Sequence, residues 1–141
     1  MVSRFLRTLG VAALILVIGS GRLAAGGQAD VDSAALAVAQ MYFAALQSGD
    51  RQALLSLLAD RALERNKAQL EEPAYSQFLT DRYSNARFEV SNGGVKNGVT
   101  FVDITIWLNN TETIKERLVL KPSGDPTDPS LHIVAQQELP D

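Results

Sequence analysis

The chain has no cysteine, which removes disulfides, thiolate nucleophiles, thiolate zinc sites and lipobox lipidation from its chemistry. Basic charge is also in short supply. Lys and Arg number 13 against 16 Asp and Glu, and they are scattered along the chain. Nucleic-acid binding draws most of its affinity from clustered Lys and Arg, so no nucleic-acid partner is expected. Histidine occurs once, and the carboxylates do not converge in any pattern of metal ligands. No metal and no cofactor is therefore expected. Long apolar runs are missing too. The longest, Leu9 to Ile18, has about 10 residues, too few to cross a bilayer.

What is present suits one domain with one core: 141 residues, 46% hydrophobic and 21% charged. The first 29 residues, MVSRFLRTLGVAALILVIGSGRLAAGGQA, have the layout of a secretory signal peptide. Arg4 and Arg7 make the positive end, Leu9 to Ile18 the apolar core, and Leu23 to Ala29 the small residues suited to cleavage. A retained anchor from Phe5 to Ala29 is the competing reading, but it would carry Arg22 near its far end. Cleavage after Ala29 is expected, leaving a single domain over 30–141 that is periplasmic or secreted, with no stable membrane span. Removal of Arg4, Arg7 and Arg22 leaves 10 basic side chains against 16 acidic ones, a net charge of about −6.

After Asp30-Val31-Asp32-Ser33, whose side chains can cap helix N–H groups, apolar residues recur at Ala35, Val38, Ala39, Tyr42, Ala45 and Leu46. This is one helical stripe. Gly49 can take the left-handed conformation that ends the helix, and Asp50 can cap the next one. That second helix presents Leu54, Leu55, Leu57 and Leu58, and the short connection makes the two helices neighbours. From Arg61 to Gln69 the pattern turns charged and less periodic, as in a frayed extension of the second helix or a loop. Glu71-Glu72-Pro73 fits the first turn of a third helix, with Tyr75, Phe78, Leu79 and Tyr83 as its buried stripe.

From Arg87 the period changes to two. Arg87 to Val90 alternates polar with apolar, and either Asn92-Gly93-Gly94 or Asn97-Gly98 supplies the turn, Asn-Gly being the stronger hairpin signal. Thr100 to Asn109 is the clearest strand. One face carries Val102, Ile104, Ile106 and Leu108, and the other Phe101, Asp103, Thr105 and Trp107. Glu112 to Lys121 follows, with Ile114, Glu116, Leu118 and Leu120 on one face. Opposed residues of an antiparallel pair share a face, so the connecting loop must hold an odd number of residues. Asn109-Asn110-Thr111 does, and it sets Ile106 beside Ile114, Val102 beside Leu118 and Asp103 beside Arg117. The same three residues form a glycosylation sequon, which reads here as turn chemistry. Three prolines between Pro122 and Ser130 make a loop, and Leu131 to Glu138 is the last strand, with Leu131, Ile133 and Ala135 on one face.

Two helical segments carry a resemblance: AVAQMYFAALQSGD from Ala37 to Asp50, then ALLSLLAD from Ala53 to Asp60. A helix with a Tyr-Phe pair, a Gly-Asp break and a leucine-rich second helix resembles the opening of the nuclear transport factor 2-like superfamily. The order of elements over residues 34 to 138 agrees with it, and the resemblance is closest to small secreted bacterial members, some grouped as lumazine-binding-like. It implies an α+β cone, with N-terminal helices packed on a curved antiparallel sheet of about four strands, and dimerisation through the outer face. The superfamily holds both enzymes and non-enzymatic binding domains, so the fold alone does not choose a function.

Candidate residues follow from which strand face lies inside. If Val102, Ile104, Ile106 and Leu108 do, as helix packing requires, the interior is aliphatic and only Glu116 offers chemistry. If Phe101, Asp103, Thr105 and Trp107 do, Asp103 is a general base beside an aromatic wall, held ionised by Arg117. Ligand contacts are assigned to Tyr42, Asp103 and Trp107, and a contact face to Phe101, Trp107 and Val119. His132 is the other residue with acid–base capacity, on the face opposite Leu131 and Ile133. No residue is assigned to catalysis. The leading expectation is a non-catalytic domain that binds a small molecule or protein partner; a homodimer or an envelope complex through the outer face is the alternative, and an enzyme using Asp103 or His132 is the third reading.

Overall fold

The computed structural model describes residues 32–108 and 111–141. The expected signal peptide, its cleavage point and Asn109-Asn110 lie outside these residues. Among the described residues no helix is long and apolar enough to cross a membrane.

Four helices precede four strands: α1 Ser33–Ser48, α2 Arg51–Leu57, α3 Asp60–Leu70, α4 Tyr75–Tyr83, then β1 Arg87–Lys96, β2 Val99–Trp107, β3 Thr113–Pro122 and β4 Leu131–Glu138. The strands form an antiparallel meander in the order β1-β2-β3-β4, curved and unclosed, which makes the protein an α+β fold. Cap chemistry sets the helix boundaries. Asp32 accepts a hydrogen bond from the Ala34 amide, and Asp50 Oδ1 accepts one from the Ala53 amide. Gly49, at φ 67°, closes α1 in the left-handed conformation and brings the chain hard against α4, where a Cβ would sit 2.5 Å from the Ser76 carbonyl oxygen. Arg51 ties the corner together, donating from Nε to Ser76 Oγ and from Nη1 to the Leu70 carbonyl.

Arg61 to Gln69, where the sequence pattern allows a helical extension or a loop, belongs to a separate helix. Leu58 leaves the helical conformation to form a parallel bridge with Ile133, and the Ala59 amide donates to the Ile133 carbonyl, so the break between α2 and α3 covers part of the β4 edge. No glycine or proline marks it. The third expected helix begins later than Glu71-Glu72-Pro73, which forms the turn into α4. Of its expected stripe Leu79 is buried, but Phe78 is half exposed and stacks on Tyr75 instead.

The strand register is the one the odd loop dictates, with Ile106 opposite Ile114, Val102 opposite Leu118 and Asp103 opposite Arg117. Asn97-Gly98 makes the first hairpin turn, both residues at positive φ, while Asn92-Gly93-Gly94 stays inside β1 just after a bulge. Val102, Ile104, Ile106, Leu108, Leu118, Leu120 and Ile133 are all buried, with the α1 stripe packed on them. The aliphatic face is therefore the inner one. One parity changes. Val119 opposes Ala135 but Leu120 opposes Ile133, so Val134 is an extra residue in β4. Ala135, expected beside Leu131 and Ile133, consequently lies on the outer face with Val119, and Gln136 turns inward opposite Leu118.

Candidate functional site

Only one ionisable side chain of β3 falls on the aliphatic face, and it is Glu116, opposite Ile104 and between Ile114 and Leu118. The phase of α1 lays Tyr42 over it, with the ring in the core and 7% of the residue exposed. Tyr42 donates from its hydroxyl to Glu116 Oε1 at 3.2 Å. Gln136, brought inward by the bulge, donates from Nε2 to the same hydroxyl at 2.9 Å. Asn66 of α3 donates to Gln136 Oε1 at 3.0 Å and to the Ala62 carbonyl at 2.7 Å. The four side chains thus form a directed line from Asn66 through Gln136 and Tyr42 to Glu116, in which the carboxylate is the final acceptor. Its other oxygen receives no hydrogen bond among the described residues.

Burial, foremost, raises the Glu116 carboxyl to a pKa of about 6; the negative charge of Glu138 adds to the rise, and the Tyr42 hydrogen bond works against it. Burial followed by the nearby Glu116 charge pushes the Tyr42 phenol well above its ordinary value, so it stays protonated and serves as a donor. Glu138 stands directly opposite Glu116 across the β3–β4 ladder. Glu116, Glu138, Gln136 and Asn66 line a cleft of about 360 Å³ between α3 and the inner face of β3 and β4, with Arg65 also at its wall. Among the described residues no group of three or more His, Asp or Glu side chains converges as metal ligands would.

The other assigned residues sit elsewhere. Asp103, Trp107, Phe101 and Val119 are on the outer face, away from the helices, so Tyr42 does not share a site with Asp103 and Trp107. Asp103 is 6% exposed there and fully engaged, taking a bidentate pair from Arg117 at 2.7 and 2.9 Å. The arrangement that would make it a general base, an inward position beside an aromatic wall, is not the one observed. Arg117 also lies over the Phe101 ring at 4.2 Å, and Arg87 over Trp107 at 4.6 Å, so both outer aromatics are capped by cations of the same chain. A shallow groove of about 320 Å³ runs past Phe101, Arg117, Val119, Lys96 and Gln137.

His132 lies beside a second groove, of about 280 Å³, with Nδ1 at 3.1 Å from the Ser56 carbonyl and Nε2 at 3.4 Å from Ser130 Oγ and 3.5 Å from Asp128 Oδ2. The types are those of a hydrolytic triad but the connections are not. The carboxylate holds the serine hydroxyl rather than the far ring nitrogen, and Asp128 and Ser130 are fixed to each other by turn hydrogen bonds.

Tyr42 and Glu116 are thus the site residues visible in the sequence, while Asn66 and Gln136 are not. Asn66 had a usable signal: Ala62, Asn66 and Leu70 are spaced four apart, and the outer two are buried. Gln136 had none, since nothing in Ile133-Val134-Ala135 announces a bulge.

No protein-family model matches the chain, and no curated protein matches it. The solved structure of a DUF4783 family protein from Bacteroides ovatus is similar to it at 18% identity and a TM-score of 0.44, over 72% of this chain and 94% of that one.

Proposed function

We propose that the chain is an extracytoplasmic, non-catalytic domain of the nuclear transport factor 2-like type that binds a small polar molecule in the cleft beside Glu116. One observation carries this reading. An ionisable carboxylate is kept among the aliphatic residues of β3, held by a line of three donors and left, among the described residues, with one oxygen unengaged next to a cleft. A leucine there would serve the core better, because burying a charge without a cation costs stability. Residues that cost stability in a well-packed fold are characteristic of binding sites. The cleft is at the small end of the range for ligand pockets, and apart from Ile114 its lining is polar or charged, which suits a polar ligand. Binding is preferred to catalysis because Tyr42 is driven away from its ionised form and, among the described residues that line the cleft, no base is set against a nucleophile. The signal-peptide pattern of residues 1–29 supports the location.

The reading is tested by thermal unfolding against a panel of small polar compounds: amines, carboxylic acids, amino acids, sugars and nucleosides. At least one should raise the melting temperature of the wild-type protein, and the rise should shrink in Glu116→Gln. A panel that leaves the protein unmoved, or a rise kept in Glu116→Gln and lost in Arg117→Ala of the outer groove, would refute it.

A further inference from the structure

Charges of both signs line the Glu116 cleft without neutralising one another. Glu116 and Glu138 oppose each other directly across β3 and β4, an arrangement that like charges disfavour. Arg65 of α3 lines the same cleft, yet among the described residues it makes no ion pair with either carboxylate, while Lys115, next to Glu116 in β3, shares the outer face with Thr105 and Asp103. Among the described residues Arg65 has no ion pair, Glu138 has neither an ion pair nor a side-chain hydrogen bond, and Lys115 reaches only the exposed Asp141 at 3.8 Å. Flexible side chains of opposite sign in a small cleft normally collapse onto each other. Here the acidic pair belongs to strand positions that face each other, while the exposed Arg65 lines the cleft from α3. A molecule that carries both charges would satisfy the two sides at once.

Resting on the binding role proposed above, we infer that the ligand is a small zwitterion of the amino-acid class. Its ammonium lies between Glu116 and Glu138, and its carboxylate meets Arg65. The ammonium supplies the cation that the buried Glu116 lacks, and three N–H donors suit two carboxylates on one side of a cleft. Gln136 and Asn66 hold the acceptor in place behind Tyr42. The cleft volume of about 360 Å³ admits a single amino acid rather than an oligopeptide.

Calorimetric titration of the protein with individual L-amino acids tests this, each binder being followed by its decarboxylated amine, its des-amino acid and its N-acetyl derivative. At least one amino acid should bind, and loss of either charged group should weaken binding by about tenfold or more. Glu116→Gln, which keeps the acceptor for Tyr42, should weaken it by a similar factor, and so should Arg65→Gln at an exposed helix position with no structural partner. If no amino acid binds at about 10 mM while another compound occupies the cleft, the ligand class is wrong and the binding role stands. If nothing in either panel binds the cleft, both fall. Equal affinity for the singly charged analogues, or unchanged affinity in both variants, overturns the zwitterion.

Discussion

A carboxylate inside a protein is a measurable cost, and Glu116 shows its sign. Its folded-state pKa of about 6 stands above the ordinary 4.5, so the folded form holds a proton that the unfolded form has already released. The stability this contributes is complete below pH 4.5 and is lost as the pH rises through about 6, a change of about 2 kcal/mol from this one group. Tyr42 and Glu138 are the titratable groups that act on it, and Arg65 lines the same cleft. Glu116→Gln should therefore match the wild type near pH 4 and exceed it by about 2 kcal/mol near pH 8, as read from urea unfolding at the two pH values. Equal stability at both would show that the carboxylate is not under strain. Tyr42→Phe removes the one hydrogen bond that holds the Glu116 pKa down, so the carboxyl resonance of Glu116 should titrate above pH 6 in that variant. The parity of β3 makes Glu116 legible in the sequence, as the only chemistry on the aliphatic face, and the α1 stripe does the same for Tyr42. Asp103 and Arg117 are legible as a pair, although the burial of Asp103 on a face without helices is not. That burial depends on Arg117 lying over Phe101 and gripping both oxygens, which no alternation pattern encodes.

Elements follow from local chemistry wherever the break has a dedicated residue. Gly49 ends α1 and Asp50 starts α2 because each does something an ordinary residue cannot. Gly49→Ala meets two obstacles, a positive φ and the Ser76 carbonyl 2.5 Å from the new Cβ. It should cost at least about 1 to 2 kcal/mol in chemical unfolding, and a neutral result would mean that α1 and α4 are not held as closely as described. Asp50→Ala, which loses only a cap to the Ala53 amide, should cost about 1 kcal/mol in the same measurement. The Asn97-Gly98 hairpin and the odd β2–β3 loop are legible for the same reason. Elements set by long-range contacts are not. The break before α3 exists because Leu58 and Ala59 bond to Ile133, 74 or more residues away in sequence, and the β4 bulge exists because β3 accepts Ala135 rather than Val134 opposite Val119. Both matter to the site, since α3 brings Asn66 and Arg65 and the bulge brings Gln136.

For the whole molecule, helices packed on one face of a curved four-stranded sheet leave the outer sheet face and the inner cleft as surfaces on which a partner could act. The outer face has its aromatics capped by Arg87 and Arg117 and its buried carboxylate neutralised. Among the described residues the inner cleft has charges without ion-pair partners, at Arg65 and Glu138, and a hydrogen-bond line that ends in an open carboxylate oxygen. The balance of polar satisfaction therefore favours the cleft, and the α+β architecture read from the order of periodicities serves to hold it. Gln136 and Gln137 are neighbours in β4 on opposite faces, one joined to Tyr42 and the other beside the outer groove. Their side-chain amide resonances, followed together with that of Asn66 while a panel compound that stabilises the protein is titrated in, report directly on which surface is used. Movement of the Asn66 and Gln136 amides with Gln137 unchanged is the predicted result; movement of Gln137 with Asn66 and Gln136 unchanged would place the ligand on the outer face and contradict the account.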